Sequence, residues 1–236
     1  MTWLARACGL LILVLAFVAA RMTSSMDFDP EPRTPTGITS PILGLELART
    51  GDEVRALFRD PMGWHNRNVY RDQVRQDGAF IACYGALLAG LGSLAAFRKG
   101  ARWRLAAVAT IALAAAAAFF DVRENRAMLT MAGTDPLELT DDLAQATRLQ
   151  SLLKWACFFG ALAPISANFL TAQSADRRAR AVARITGAFL AGAAILGLIG
   201  ILHVAAIPWA TILASLGFLA TLALVAIWPE ASASMP

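Results

Sequence analysis

Charged residues are scarce in this chain. Asp, Glu, Lys and Arg make up 16% of its 236 residues, against roughly 25% in an ordinary soluble domain. Aromatic residues are few as well, at 8%, so the 57% of hydrophobic residues are mostly Ala, Leu, Ile and Val. They form long uninterrupted runs, without the apolar–polar pattern of an amphipathic helix or a half-buried strand. This balance argues against a soluble globular fold and indicates that lipid is the solvent.

Cysteine and histidine are too few and too scattered to form a recognisable site. The cysteines Cys8, Cys83 and Cys157 each fall in an apolar run, without a CxxC pair. The histidines His65 and His203 have no HExxH or comparable spacing. The chain also has no P-loop, GxSxG elbow or GxGxxG loop. We therefore expect no metal and no cofactor, and no catalytic residue is assigned.

Six apolar runs come close to the ~20 residues that a helix needs to cross a bilayer. They cover about residues 3–20, 78–97, 105–120, 152–172, 185–206 and 207–228. The predicted fold is an all-α, polytopic membrane helix bundle with six spans, and residues 1–236 form a single integral membrane domain. The first run also has features of a secretory signal. We favour a retained anchor over a cleaved signal, and either one leaves the orientation of the remaining spans unchanged.

Basic residues concentrate in two short connectors between spans. These are Arg98, Lys99, Arg102 and Arg104 in one connector, and Arg177, Arg178, Arg180 and Arg184 in the other. Because Lys and Arg accumulate in cytoplasmic loops, both connectors and both termini are predicted to face the cytoplasm. Such clusters also bind anionic lipid headgroups. We therefore expect membrane lipids, and no nucleic acid, as partners of this basic chain.

Two outer segments are predicted, residues 21–77 and a hairpin at 121–151. The first begins with a Pro-rich stretch, residues 29–35, that is not expected to be helical. Ser40 before Pro41 predicts a short helix at 42–48, and Thr50 with Glu53 forms a capping box for a second helix that ends before Asp60. The apolar faces of these helices fit the membrane surface or the hairpin equally well. The apolar residues concerned are Leu43, Leu47, Val54, Leu57 and Phe58.

The helices of the third and fourth spans are predicted to extend beyond the bilayer. The helical pattern of the third span continues to Gly133. Thr140 is a predicted N-cap for the fourth, with Asp141 and Asp142 in its first turn. The two helices would then form an antiparallel hairpin.

Apart from Arg6 and the basic connectors, the ionisable residues at the ends of the spans fall on the predicted outer side. They are informative because a charge left in hydrocarbon costs about 2.5–3.5 kcal/mol or more. Asp121, Glu124 and Asn125 share one helix face. Lys154, at a similar depth on the antiparallel neighbour, is their predicted ion-pair partner. Asp77 and Tyr84, seven residues apart, also share a face. These residues form a candidate cluster, which is either a structural ion-pair network or a ligand or proton site. Its members are Asp77, Tyr84, Asp121, Glu124, Asn125 and Lys154.

Several of these residues belong to a broader pattern. It comprises Pro41-Ile42, Glu46-Leu47-Ala48, Asp77 with Phe80 and Tyr84, Asp121-x-x-Glu124-Asn125, and Lys154. Over residues 40–172 the pattern resembles a group of small bacterial polytopic membrane proteins. The resemblance implies a helical membrane bundle in a bacterial inner membrane, and brings with it no activity, substrate or cofactor. It also adds Glu46 to the candidate cluster.

Three functions remain open. The favoured one is a non-enzymatic accessory, sensory or scaffold component. The second is a small carrier coupled to protons or a solute, and the third is an intramembrane enzyme that modifies a lipid or quinone with a carboxylate as general base. In span five, the pairs Ala188/Gly192 and Ala193/Gly197 have the small-xxx-small spacing of close helix packing. They serve either packing within the chain or a contact with a protein partner or a second copy.

Overall fold

The fold was analysed in a computed structural model, which describes residues 2–28, 38, 40–60, 64–97, 100–174 and 176–227. All regular elements in these ranges are helical, as predicted. They are α1 (Thr2–Ser24), α2 (Pro41–Glu46), α3 (Gly51–Phe58), α4 (His65–Ala96), α5 (Ala101–Gly133), α6 (Asp141–Leu170), α7 (Arg177–Leu202) and α8 (Ile207–Ile227). Short 3-10 turns occupy Pro136–Glu138 and Val204–Ala206. The Pro-rich stretch 29–35 and two residues of the first basic connector, Arg98 and Lys99, lie outside the described residues.

Six of these helices, α1 and α4 to α8, are long and apolar enough to cross a membrane. The chain is therefore a multi-pass membrane protein with a helical bundle, and the predicted fold class is confirmed. Helices α4, α5 and α6 have 32, 33 and 30 residues, well above the ~20 that a span requires. As predicted, α5 runs on to Gly133 and α6 begins at Asp141.

The chain divides into two compact units, which we call the span unit and the head unit. The span unit comprises Met1–Ala16, Cys83–Ala117 and Trp155–Pro236, and the head unit comprises Phe17–Ala82 and Ala118–Lys154. Helices α1, α4, α5 and α6 contribute residues to both units. The single domain over residues 1–236 stays a prediction.

The head unit has an apolar core of its own. Helix α3 contributes Val54, Leu57 and Phe58, and helix α5 contributes Met128 and Met131. The other buried members are Leu45, Ala48, Tyr70, Val74, Ala132, Leu139 and Ala144. Burying a large apolar side chain stabilises a fold by about 1.5–3 kcal/mol. The predicted apolar face of α3 thus packs against the hairpin of α5 and α6 and not against the membrane surface. From α2, the core contains Leu45 instead of the predicted Leu43 and Leu47.

The predicted caps set the ends of the short helices. Ser40 accepts a hydrogen bond from the Leu43 N–H at 3.5 Å, and Thr50 accepts one from the Glu53 N–H at 3.2 Å. The capping box differs from the expectation in one respect. The Glu53 carboxylate accepts from the Arg49 N–H at 2.6 Å, because Arg49 lies one residue before the cap and presents its own free N–H to Glu53.

Hydrogen bonds connect helix α3 to the turn between α5 and α6. The Gly51 N–H donates to Asp141 Oδ1 at 2.8 Å, and Arg55 Nη1 donates to the carbonyls of Pro136 and Leu139 at 3.2 and 2.9 Å. A Cβ at Gly51 would overlap the Leu139 carbonyl. Only glycine therefore fits at this close approach.

The span unit is closely packed at glycines of α7. A Cβ on Gly197 would overlap the Phe159 ring of α6, and one on Gly187 would meet the backbone of Ser166 and Leu170. Ala193 is fully buried, whereas Ala188 is exposed. The Ala193/Gly197 pair therefore serves packing within the chain. A partner or second copy at the exposed face of α7 stays a prediction.

Candidate functional site

Lys154 lies at the centre of a buried ion-pair cluster in the head unit. Its ammonium Nζ is 2.7 Å from Glu124 Oε2, 3.1 Å from Glu46 Oε2 and 3.5 Å from Asp121 Oδ1. The four side chains are closed off from solvent, with exposed fractions of 5% for Lys154, 0% for Glu124, 6% for Glu46 and 4% for Asp121. Three carboxylates, two from α5 and one from α2, thus converge on one cation from α6.

A second polar contact extends this cluster towards α4. Asn125 Nδ2 donates to Asp77 Oδ2 at 2.6 Å. Asp77 is also close enough to Asp121, Lys154 and Glu46 to interact with them electrostatically. The structure thus brings together Asp77, Asn125 and the four residues of the ion-pair cluster. We call these six residues the Lys154 cluster.

Tyr84, the remaining member of the candidate set, belongs to the span unit. Its ring is buried and packs edge-to-face on Phe158 of α6, with centroids 5.7 Å apart. Tyr84 follows Asp77 by seven residues, so it stands about 10 Å farther along the α4 axis. The membership of Tyr84 in the cluster stays a prediction.

Helix periodicity explains how α5 supplies its part of the site. Asp121, Glu124 and Asn125, at i, i+3 and i+4, are all buried, whereas Arg123 and Arg126 are exposed. Residues three and four apart share one helix face. The acidic face therefore turns inward, and the neighbouring arginines turn away from it.

Helix α6 supplies a polar stripe that sequence reasoning missed. Ser151 is buried and donates through Oγ to the Glu46 carbonyl at 2.8 Å. Arg148 Nη1 donates to the Leu47 carbonyl at 3.4 Å. These two bonds fix the end of α2 on α6, beside the pair of Glu46 and Lys154. The signal was present in the sequence, since Thr147, Ser151 and Lys154 recur at i, i+4 and i+7.

The charges of the cluster do not balance when every group is ionised. Glu46, Asp77, Asp121 and Glu124 supply four carboxylates, and Lys154 supplies one ammonium. Glu124 Oε1 is also fully buried without a hydrogen-bond donor among the described residues. A buried polar atom left in this state costs about 1–3 kcal/mol. Glu124 is therefore the acid least supported by neutral donors.

The arrangement fits a structural ion-pair network better than a site that is accessible to a ligand. A solute could not reach Lys154 without an opening of the packed helices, because its three ion-pair partners are buried with it. Within the part of the chain that the structure describes, no group of three or more His, Cys, Asp or Glu side chains is placed to hold a metal ion. The contacts that these side chains make are ion pairs with Lys154.

Comparisons with protein-family models, with curated proteins and with solved structures give no match for this chain.

Proposed function

We propose that this protein is a non-enzymatic accessory, sensory or scaffold component of a bacterial inner membrane. In this proposal the basic connectors and both termini face the cytoplasm, and the segments 21–77 and 121–151 face the outer side of the membrane. The head unit then presents α2, α3 and the α5–α6 turn to a partner or to lipid. The Lys154 cluster holds α2 in place against α5 and α6.

One observation carries this proposal, namely that the ion-pair cluster is closed. An enzyme or carrier must admit a substrate to its charged groups, and a site of that kind is concave and accessible. Lys154 instead has its ion-pair partners packed around it, all nine-tenths or more buried. Buried ion pairs of this kind fix the register of packed helices in some proteins.

Replacing Glu124 with Gln distinguishes a structural ion-pair network from a ligand site. The substitution keeps the shape of the side chain and removes the charge that pairs with Lys154 at 2.7 Å. Because it also relieves one of the excess carboxylates, we expect the free energy of unfolding to fall by only about 1 kcal/mol. Thermal unfolding of the purified protein in detergent measures this loss. The matched control is Glu138→Gln, since Glu138 is exposed at the α5–α6 turn. It is expected to change stability by less than about 0.5 kcal/mol.

Mass spectrometry of the same preparations shows whether the Glu124→Gln variant has lost a bound small molecule. The proposal expects the same co-purified small molecules in the wild-type protein and in the Glu124→Gln variant. A variant that keeps full stability but loses a bound solute would instead assign the cluster to a ligand.

That second candidate is a carrier coupled to protons or a solute. The excess of carboxylates over Lys154 and the unsupported Glu124 Oε1 favour it. Both features would suit a site that takes up a proton or a cationic group when the helices open.

The proposed orientation can be tested with single cysteines in a chain whose native cysteines are replaced by Ala. Glu138→Cys, at the exposed α5–α6 turn, is expected to react with a membrane-impermeant maleimide added to intact spheroplasts. Gln173→Cys, exposed after α6, is expected to react only after the membrane is permeabilised, because its loop carries the second arginine cluster. The reverse pattern would overturn the orientation.

A further inference from the structure

The span unit contains an apolar cavity of about 160 Å³. Helices α1, α4, α6 and α8 and the residues after α6 supply its walls, which include Cys8, Leu91, Phe169 and Leu224. Three polar side chains, Asn168, Gln173 and Thr221, also line it. A cavity of about 150 Å³ with apolar walls holds a guest the size of benzene, so this one has room for several methylene groups.

Part of the polar lining of the cavity comes directly before the second basic connector in the chain. Gln173 is followed by Ser174, whose carbonyl accepts hydrogen bonds from Arg180 Nε at 2.9 Å and from Arg180 Nη2. Arg180 is therefore half-buried and folded back towards the lining segment. Arg177, Arg178 and Arg184 follow on α7 with exposed side chains, and on α1 the exposed Arg6 follows the lining residue Ala5.

We propose that this cavity binds several methylene groups of one acyl chain of an anionic phospholipid, whose phosphate pairs with Arg180. The choice of occupant rests on two observations. The walls are apolar and belong to membrane-spanning helices, where lipid chains are the surrounding medium. The charge beside the polar wall is basic, and basic residues at the membrane surface attract anionic headgroups. The site is separate from the Lys154 cluster and does not depend on its role.

Native mass spectrometry with added lipid tests the acyl-chain part. The full-length protein, delipidated in detergent, is mixed with equal amounts of phosphatidylglycerol and phosphatidylcholine that have the same acyl chains. The wild-type protein is expected to retain phosphatidylglycerol about fivefold better. Ala172→Phe, which fills the cavity from its lining, is expected to lose most of this retained lipid. Ala163→Phe on the exposed side of α6 is the matched control and is expected to behave as wild type.

A second cavity variant guards against a folding defect. If Ala172→Phe unfolds, Ala5→Phe fills the same cavity from α1 and is expected to give the same loss. Retention of phosphatidylglycerol at the wild-type level in a folded cavity variant would overturn the proposal, as would equal retention by the Ala172→Phe and Ala163→Phe variants.

The headgroup part is tested at Arg180. Arg180→Gln is expected to reduce the preference for phosphatidylglycerol from about fivefold to near one, since it removes the charge that the Ser174 carbonyl holds beside the lining residue Gln173. Arg178→Gln, exposed in the same connector, is the control and is expected to keep at least half of the preference. Equal binding of the two lipids to the wild-type protein would show that no anionic headgroup is recognised, and would also overturn the proposal.

Discussion

Replacing Lys154 with Met is expected to lower the free energy of unfolding by about 3–5 kcal/mol. The substitution leaves the carboxylates of Glu46, Asp121 and Glu124 buried together without a cation. Removing one partner of a buried ion pair is costly, because the remaining charges keep their desolvation penalty. Since native proteins have only about 5–15 kcal/mol of stability, we expect a low yield and a clearly lower unfolding temperature in detergent.

The matched control for this variant is Arg126→Met. Arg126 lies on α5, one residue after Asn125, but its side chain is exposed. Losing an exposed charge is expected to change stability by less than about 1 kcal/mol. If the Lys154 and Arg126 variants unfold at the same temperature, then Lys154 does not hold the head unit together.

Replacing Gly197 with Val is expected to cost about 3 kcal/mol, at the upper end for an overpacked core. A Cβ at this position already overlaps the Phe159 ring, and the two γ-methyl groups of Val add to the overlap. Helix α7 then has to move away from α6. Thermal unfolding in detergent measures the loss.

The control for Gly197 is a valine at a lipid-facing position of the same helix. Ala188→Val is expected to leave the unfolding temperature nearly unchanged, since Ala188 is exposed. Combining Gly197→Val with Phe159→Ala is expected to recover part of the stability by making room for the new side chain. A fully stable Gly197→Val variant would show that α7 and α6 are not in close contact here.

The architecture could be predicted from the sequence because long apolar runs determine membrane-spanning helices almost by length alone. The extensions of α5 and α6 followed from the same reasoning, since no helix breaker separates Asp121 from Gly133 or Asp142 from Lys154. The placement of α2 and α3 could not be predicted. An amphipathic helix has the same pattern whether its apolar face meets lipid or protein.

The Lys154 cluster was predictable only in part, for reasons of geometry. Asp121, Glu124 and Asn125 share a helix face, and an antiparallel hairpin brings Lys154 to the same level. Glu46 could not be placed in this way, because α3 and α4 lie between α2 and the hairpin in the chain. No periodicity therefore relates Glu46 to α5 or α6. It entered only through the resemblance to a protein group. The apolar cavity could not be predicted at all, since it depends on how side chains from four helices fill space.

A double-mutant cycle between Lys154 and Glu124 tests the central claim most directly. The free energy of unfolding is measured for the wild-type protein, Lys154→Met, Glu124→Gln and the double variant. If the Lys154 cluster is a structural ion-pair network, the double variant is about 1–3 kcal/mol more stable than the sum of the two single losses predicts. Losses that simply add, within about 0.5 kcal/mol, would contradict the account.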